Sequence, residues 1–463
     1  MPNDQSSSAF ASSLAIWREK LFGGHVRSAR AKKNIAAMFF LKGISIIIGF
    51  LLVPMTLRYL NPTNYGIWLT LSSIIGWFGF FDIGLGNGLR NKFAEAMAKD
   101  DIEHARVYVS TTYVLLSIVI GVIFVAILLI SPLLNWSSIL NTAPELSDEL
   151  RNLMLITVGF FCLRFVFGLI GTILIADQKP AMNSLLEVLS SLLSLVLIWI
   201  LTFTTAGSLL HFGIAVGFST AIVPILASLV LYATTYKNVR PSRSFVKFEY
   251  GRELTQLGVR FFLLQIAGLV IFSASNILIT QLFSPADVVP YNIAFKYYSI
   301  ISMVFSIVLT PFWSAYTEAY ARGDVPWILK TFRVLKRAWL GTAALIVLMS
   351  FLAERFYAFW VGKEIQIPLG ISLSMGVYVL IYTWCNIYAN FINGTGKIQL
   401  QIFSAISVIL LSIPLAIFLS KSVHLGIPGV IIAPCILLLP WCFVWPLQAK
   451  RILTGSAVGI WSK

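Results

Sequence analysis

Apolar residues run in long blocks along this chain, and the polar residues are gathered into short gaps between them. Blocks long enough to cross a bilayer fall at about 35–57, 64–86, 108–131, 151–175, 182–203, 211–234, 256–283, 291–315, 335–353, 368–391, 398–420 and 425–447. A span needs about 20 predominantly apolar residues. The pattern therefore predicts an all-α polytopic membrane protein of about twelve transmembrane helices, with those near 182–203 and 335–353 the shortest. Tyr59, Tyr65, Trp136, Tyr232, Tyr291, Trp327, Trp360 and Trp445 stand near block ends, where such rings are expected to anchor a helix at the membrane surface.

Composition agrees: 58% of the 463 residues are hydrophobic and only 11% charged, against about 25% charged in a soluble domain. Most of the surface must face lipid. The net charge of +15 would suit nucleic acid if it were clustered. Instead the basic residues lie in short gaps, 25 of them in the termini and alternate gaps and 5 in the intervening ones. Basic loops stay cytoplasmic, so both termini are expected in the cytoplasm and no nucleic-acid partner is implied. The first apolar block starts only near Ile35, so no cleavable signal is expected. The preceding Phe10–Asn34 stretch mixes Trp17, Leu21, Phe22 and Val26 with six basic residues, as an amphipathic helix on a membrane surface would. No gap has room for a soluble catalytic domain. Cys162, Cys385, Cys435 and Cys442 all sit in apolar stretches without a CxxC pair, so they are read as small apolar residues.

The halves echo one another. Asn61-Pro62 after the first span matches Ser284-Pro285 after the seventh, and the exit Ala94-Glu95-Ala96 matches Thr317-Glu318-Ala319. Asp177-Gln178-Lys179 answers Gly394-Thr395-Gly396-Lys397, and Phe212-Gly213-Ile214 answers Leu425-Gly426-Ile427. The offset stays near 213–226 residues. Six spans per half is even, so the repeat is parallel, with an axis along the membrane normal, and transporters of this build hold substrate between their halves. The expected division is a basic leader 1–34, lobes 35–240 and 256–450, a cytoplasmic linker 241–255 and a tail 451–463.

Charges inside spans are expensive and normally face a bundle interior or a wet cavity. Four cations stand there, Lys42, Arg164, Arg260 and Lys296, with Asp82 and Glu187 as the anions. The cations either line a polar cavity, which would suit an anionic ligand, or pair with carboxylates, as Arg164 would with Glu187. Lys42 and Lys296 have the further option of reaching a helix end. Asp82 and Glu187 are candidates for coupling to a proton or sodium ion, or for simple pairing with the bases. Pro311 and Pro414 are candidate pivots, though tolerated kinks explain them as well.

Signals of soluble enzymes are weak. The Gly84–Gly88 run ends an apolar block and lacks a following GK[ST], and Gly394-Thr395-Gly396-Lys397 lacks the spacing of a phosphate loop. The four histidines show no metal spacing and no nucleophile–base pair stands out. No enzyme, metal or cofactor is expected.

The segment Tyr65-Gly66-Ile67-Trp68, then Phe81-Asp82-Ile83-Gly84-Leu85-Gly86-Asn87-Gly88-Leu89-Arg90 and Ala94-Glu95-Ala96, resembles the polysaccharide transport family, and Tyr291-Asn292-Ile293-Ala294 resembles its second half. These are the O-antigen and exopolysaccharide flippases of the multidrug/oligosaccharidyl-lipid/polysaccharide flippase superfamily. The resemblance spans about 30–450. It implies two six-helix lobes related by pseudo-two-fold symmetry in a bacterial inner membrane. They would alternate access to move an undecaprenyl-diphosphate-linked oligosaccharide, with membrane lipids around them and a polysaccharide polymerase and chain-length protein as candidate partners. It also implies a cationic central cavity, which Arg164, Arg260, Lys42 and Lys296 would suit. The competing expectations are a multidrug or small-solute antiporter of the same superfamily, a polysaccharide polymerase, and a non-transporting scaffold subunit.

Overall fold

A computed structural model describes residues 26–79, 84–251, 254 and 274–462. Every described element is a helix. The first, α1 (Val26–Trp77), is two spans joined at Asn61, whose φ of 67° breaks the helix. Asn tolerates that left-handed value better than most residues, and its side chain accepts from the backbone N–H of Asn64 to start the second arm. Then follow α2 (Leu85–Ala98), α3 (Ile102–Ile130), α4 (Ser147–Phe167), α5 (Leu169–Ala176), α6 (Pro180–Thr204) and α7 (Leu209–Ala233). After the linker come α8 (Ala274–Leu282), α9 (Val288–Ala321), α10 (Val325–Val361), α11 (Leu369–Thr395), α12 (Gln399–Ile417), α13 (Ile427–Leu438) and α14 (Trp441–Leu453). Ten of the described helical stretches are long and apolar enough to span, the first of them holding both arms of α1. The seventh expected span enters the described residues only at α8, which brings the tally to twelve.

The repeat is visible in the backbone. Asn61 and Ser284 lie 223 residues apart, and each side chain accepts from the N–H three residues on. Asp100 and Gly323, at the same offset, both take positive φ, 56° and 70°. The next residues, Asp101 and Asp324, each cap the following helix, accepting from His104 N–H and Trp327 N–H. Gln178 and Gly396 likewise both adopt positive φ in the turns ahead of α6 and α12.

Two expectations need correction. The block at 335–353 is no short span; it lies inside α10, whose 37 residues make it one of the longest helices. The expected loop 316–334 is almost wholly helical, with only a turn between Ala321 and Val325. Hydropathy marks the part of a helix that lipid surrounds, whereas the backbone ladder continues into water with Lys330, Arg333 and Lys336 on its surface. The rings taken for surface anchors are instead mostly core: Tyr59, Tyr65, Trp136, Tyr232, Tyr291 and Trp445 are each at least nine-tenths buried. They knit helices together inside each lobe, as the Tyr59 hydroxyl does with Thr205 at 2.8 Å. The expected leader helix at Phe10–Asn34 lies largely outside the described residues; α1 already runs from Val26. Helix α9 runs through Pro311 unbroken, and α12 ends in a π turn at Phe418–Ser422 just beyond Pro414.

The core decides how the lobes sit. The near face is the side on which α1 begins, and the distal face carries the Asn61 turn. One continuous core fills the distal half and draws on both lobes, from Val53, Leu60 and Leu71 to Ile279, Ile293, Tyr298 and Ile371. Toward the near face the described core residues fall into two further groups. A second core belongs to the first lobe and its linker (Leu89, Phe93, Val109, Ile170, Leu254), and a third to the second lobe (Leu309, Tyr316, Ile328, Phe391, Ala449).

Candidate functional site

The seam between the lobes is polar on the distal side. Asn276 on α8 donates to the Ser73 hydroxyl at 2.6 Å, and Asn292 on α9 holds the Asn276 carbonyl at 2.9 Å. The hydroxyls of Thr70 and Thr280, both fully buried, meet at 2.6 Å. Asn141 donates to the carbonyls of Thr280 and Phe283, and Gln281 donates back to those of Ser138 and Ile139. At Gly66 the backbones of the lobes come so close that a Cβ would stand 1.7 Å from the Pro285 carbonyl oxygen. Only glycine permits that approach. Trp360 seals the flank, donating to the Phe50 carbonyl at 2.8 Å while its ring packs 4.4 Å from that of Phe50. The described hydrogen bonds between the lobes all lie in this half.

The innermost of them is made by Lys296, whose ammonium donates to the Gly49 carbonyl at 2.5 Å. Gly49 stands twelve residues before the Asn61 turn, about 18 Å along the helix, so this cation sits at mid-depth, where the common core begins to divide. Lys42 lies seven residues, two turns, below Gly49 on the same face of α1. It is exposed, roughly opposite Phe40, Ile47 and Leu51 on that helix and beside the exposed Phe39. Glu187 is exposed on α6, roughly 200° around that helix from the lipid-facing Leu185 and Leu192. Asn183, one turn earlier, donates to its carboxylate at 3.0 Å. Arg164 ends the stripe of Leu150, Leu153 and Thr157, which is buried in the distal half, yet Arg164 is exposed. All three side chains are exposed. Arg164 and Glu187 form no ion pair among the described residues, so the pairing reading for these two has no geometric support. Arg260 and Asp82 lie outside the described residues.

The polar seam escaped the sequence reading, which weighed only charged residues inside spans. The available signal was spacing: Asn276 and Thr280 are one turn apart, as are Thr70 and Ser73, giving each helix one polar face within an apolar block. The glycine-rich run also acquires a purpose. A Cβ on Gly88 would stand 2.0 Å from the Leu254 carbonyl oxygen, so α2 and the linker touch backbone to backbone. Thr111 of α3 holds the same linker at Lys247, and Arg106 holds the residue just before it, Arg240.

Two repeated helical lobes, joined on the distal side by a shared core and a polar seam among the described residues, define the fold of a multi-helix membrane transporter. Solved structures share the fold. An inward-facing multidrug MATE family transporter of the MOP superfamily superposes with a TM-score of 0.73 at 16% identity, over 89% of this chain and 95% of its own. An outward-facing MATE structure gives 0.64 at 15% identity, over 94% and 98%. Residues 31–314 match the family described as polysaccharide biosynthesis protein, and the chain belongs to that family. It is similar to a Yersinia pseudotuberculosis protein named for O-antigen export, 23% identical over 77% of this chain and 81% of that protein. A Salmonella typhi protein named as an O-antigen transporter is 22% identical over 79% and 84%.

Proposed function

We propose that this protein is a flippase that carries an undecaprenyl-diphosphate-linked oligosaccharide from the cytoplasmic to the outer leaflet of a bacterial inner membrane, for surface polysaccharide synthesis. The excess of Lys and Arg on that side supports placing the near face, with both termini, in the cytoplasm. The moving bodies are the lobes 35–240 and 256–450, joined by the linker 241–255.

One observation carries the reading: among the described residues the lobes share a core and a polar seam in the distal half, and Lys296 makes the innermost of the bonds between them. A glycan cannot cross hydrocarbon bare, because each hydroxyl without a partner costs roughly 2–7 kcal/mol. A wet cleft opening toward the cytoplasm removes that barrier. Lys296, Lys42, Arg164 and Arg260 would hold the diphosphate or an acidic sugar through charge-assisted hydrogen bonds. Breaking the distal seam and closing the near face would then present the head group to the other side. Asp82 and Glu187 are the candidates for coupling that motion to a proton or sodium gradient. The polymerase and chain-length protein that would use the delivered glycan are partners in this reading.

Proteoliposomes loaded with a fluorescent lipid-linked oligosaccharide test it. Translocation should be present in the parent protein and fall at least tenfold in Lys296→Met and Arg164→Gln at equal protein content. Export of cationic dyes without glycan translocation would replace this reading with that of a small-solute antiporter.

A further inference from the structure

On the first lobe, α3 and α4 flank an open slot of about 680 Å3, within the roughly 300–1,000 Å3 usual for ligand sites. Its lining is apolar except at Ser117 and Cys162, with Phe124, Phe160 and Phe167 as its broad surfaces. Small residues in membrane helices normally let two backbones touch. Here they do not: a Cβ on Gly121 would meet nothing within 4 Å, and one on Gly159 would meet only the Phe124 ring at 3.8 Å. The glycines widen a gap instead of closing one. The slot opens among exposed apolar residues of α3, Ile118, Val122 and Val125, on the lipid-facing side.

A charge neighbours the slot along α4, next to the lining residue Leu163. Arg164 lies between Phe160 and Phe167, four residues after one and three before the other, and both of these line the slot. A greasy slot beside exposed apolar residues, with an exposed arginine adjacent to its lining in the chain, fits an amphiphile with a hydrocarbon chain and an anionic head. Depth selects the kind. Arg164 is twelve residues from the near end of α5, about 18 Å along the helix, well inside a hydrocarbon core of about 30 Å. A resident phospholipid keeps its head at the membrane surface and would not reach it. A diphosphate in transit would.

We propose that this slot holds the polyisoprenyl tail of the lipid-linked substrate, while Arg164 holds its diphosphate on the interior side of α4. The proposal rests on the flippase reading, and it adds where the tail is kept during passage. It makes the first lobe the one that captures substrate and travels with it.

The test uses the full chain in nanodiscs with two photoreactive probes, a diazirine-bearing polyprenyl diphosphate and a diazirine-acyl phosphatidylglycerol, mapped by peptide mass spectrometry. The polyprenyl probe should label segments 117–124 and 156–167 at least tenfold more than the phospholipid probe. Gly121→Leu, which fills space that nothing else occupies, should reduce that labelling at least tenfold while the protein stays monodisperse. Gly341→Leu, also in open space but in α10, should leave it unchanged. Equal labelling by the two probes, or full labelling of Gly121→Leu, overturns the proposal. A slot that is labelled in a protein unable to move lipid-linked glycan retains the tail site and removes the flippase reading. Translocation with an unlabelled slot does the reverse.

Discussion

Replacing Gly66 with alanine puts the distal seam under a defined strain. The added Cβ would stand 1.7 Å from the Pro285 carbonyl oxygen and 2.4 Å from its carbon, where comfortable contacts are about 3.5 Å or more. Neither neighbour is a side chain that can swing away, so the backbones must part by roughly 1.5–2 Å. Two contacts lie within two turns of Gly66, the Thr70–Thr280 and Asn276–Ser73 hydrogen bonds, both 2.6 Å long. A separation of that size breaks both. Each is worth about 1 kcal/mol net, so the distal-closed state loses about 2 kcal/mol. At 1.4 kcal/mol per decade, the ratio of distal-open to distal-closed protein rises about 30-fold. Spin labels at Glu145→Cys and Lys363→Cys, exposed on the distal side of the two lobes, would report this by pulsed EPR in a background without the four native cysteines. Gly66→Ala should gain a longer-distance population. An unchanged distance distribution, with parental stability, would refute the claim that this backbone approach holds the lobes shut.

Four further outcomes are expected. Gly88→Ala drives α2 from the linker at Leu254 and should lower stability by about 1–3 kcal/mol, as overpacking does, with faster proteolysis within 237–251. Lys296→Met removes the mid-depth cation and its bond to Gly49, and translocation should fall at least tenfold, whereas Lys296→Arg should retain most of it. Trp360→Phe keeps the ring beside Phe50 but deletes the N–H that reaches its carbonyl, so distal opening should become easier by about 1 kcal/mol in the EPR assay. The Asp101 carboxyl is held below its usual range, chiefly by the backbone N–H of His104. Its contribution to capping α3 is therefore complete above the unfolded value near 3.9 and fades as pH falls through the lower folded value. Asp101→Asn should flatten that acid limb in a thermal melt.

Much of the architecture was legible in the order of residues. Lipid imposes a one-dimensional rule, since every backbone polar group in hydrocarbon must be satisfied within its own helix. Block length therefore marks spans, and the alternation of basic gaps marks sides. The repeat was legible for a related reason: the turns at Asn61 and Ser284, and those at Asp100 and Gly323, need special residues at fixed places. The six intramembrane charges also announced themselves, because an apolar background makes them rare.

Tertiary structure alone decided what those residues meet. No spacing rule says that Gly66 touches Pro285, that Lys296 reaches Gly49, or that Tyr59 and Trp136 are core and not surface anchors. Such contacts join positions up to 310 residues apart, as Trp360 and Phe50 are, and depend on how two lobes dock. The division of the core is of the same kind. The apolar blocks look alike in both halves, and only the docking of the lobes joins their distal ends in one core, with the described near-side core residues in two groups.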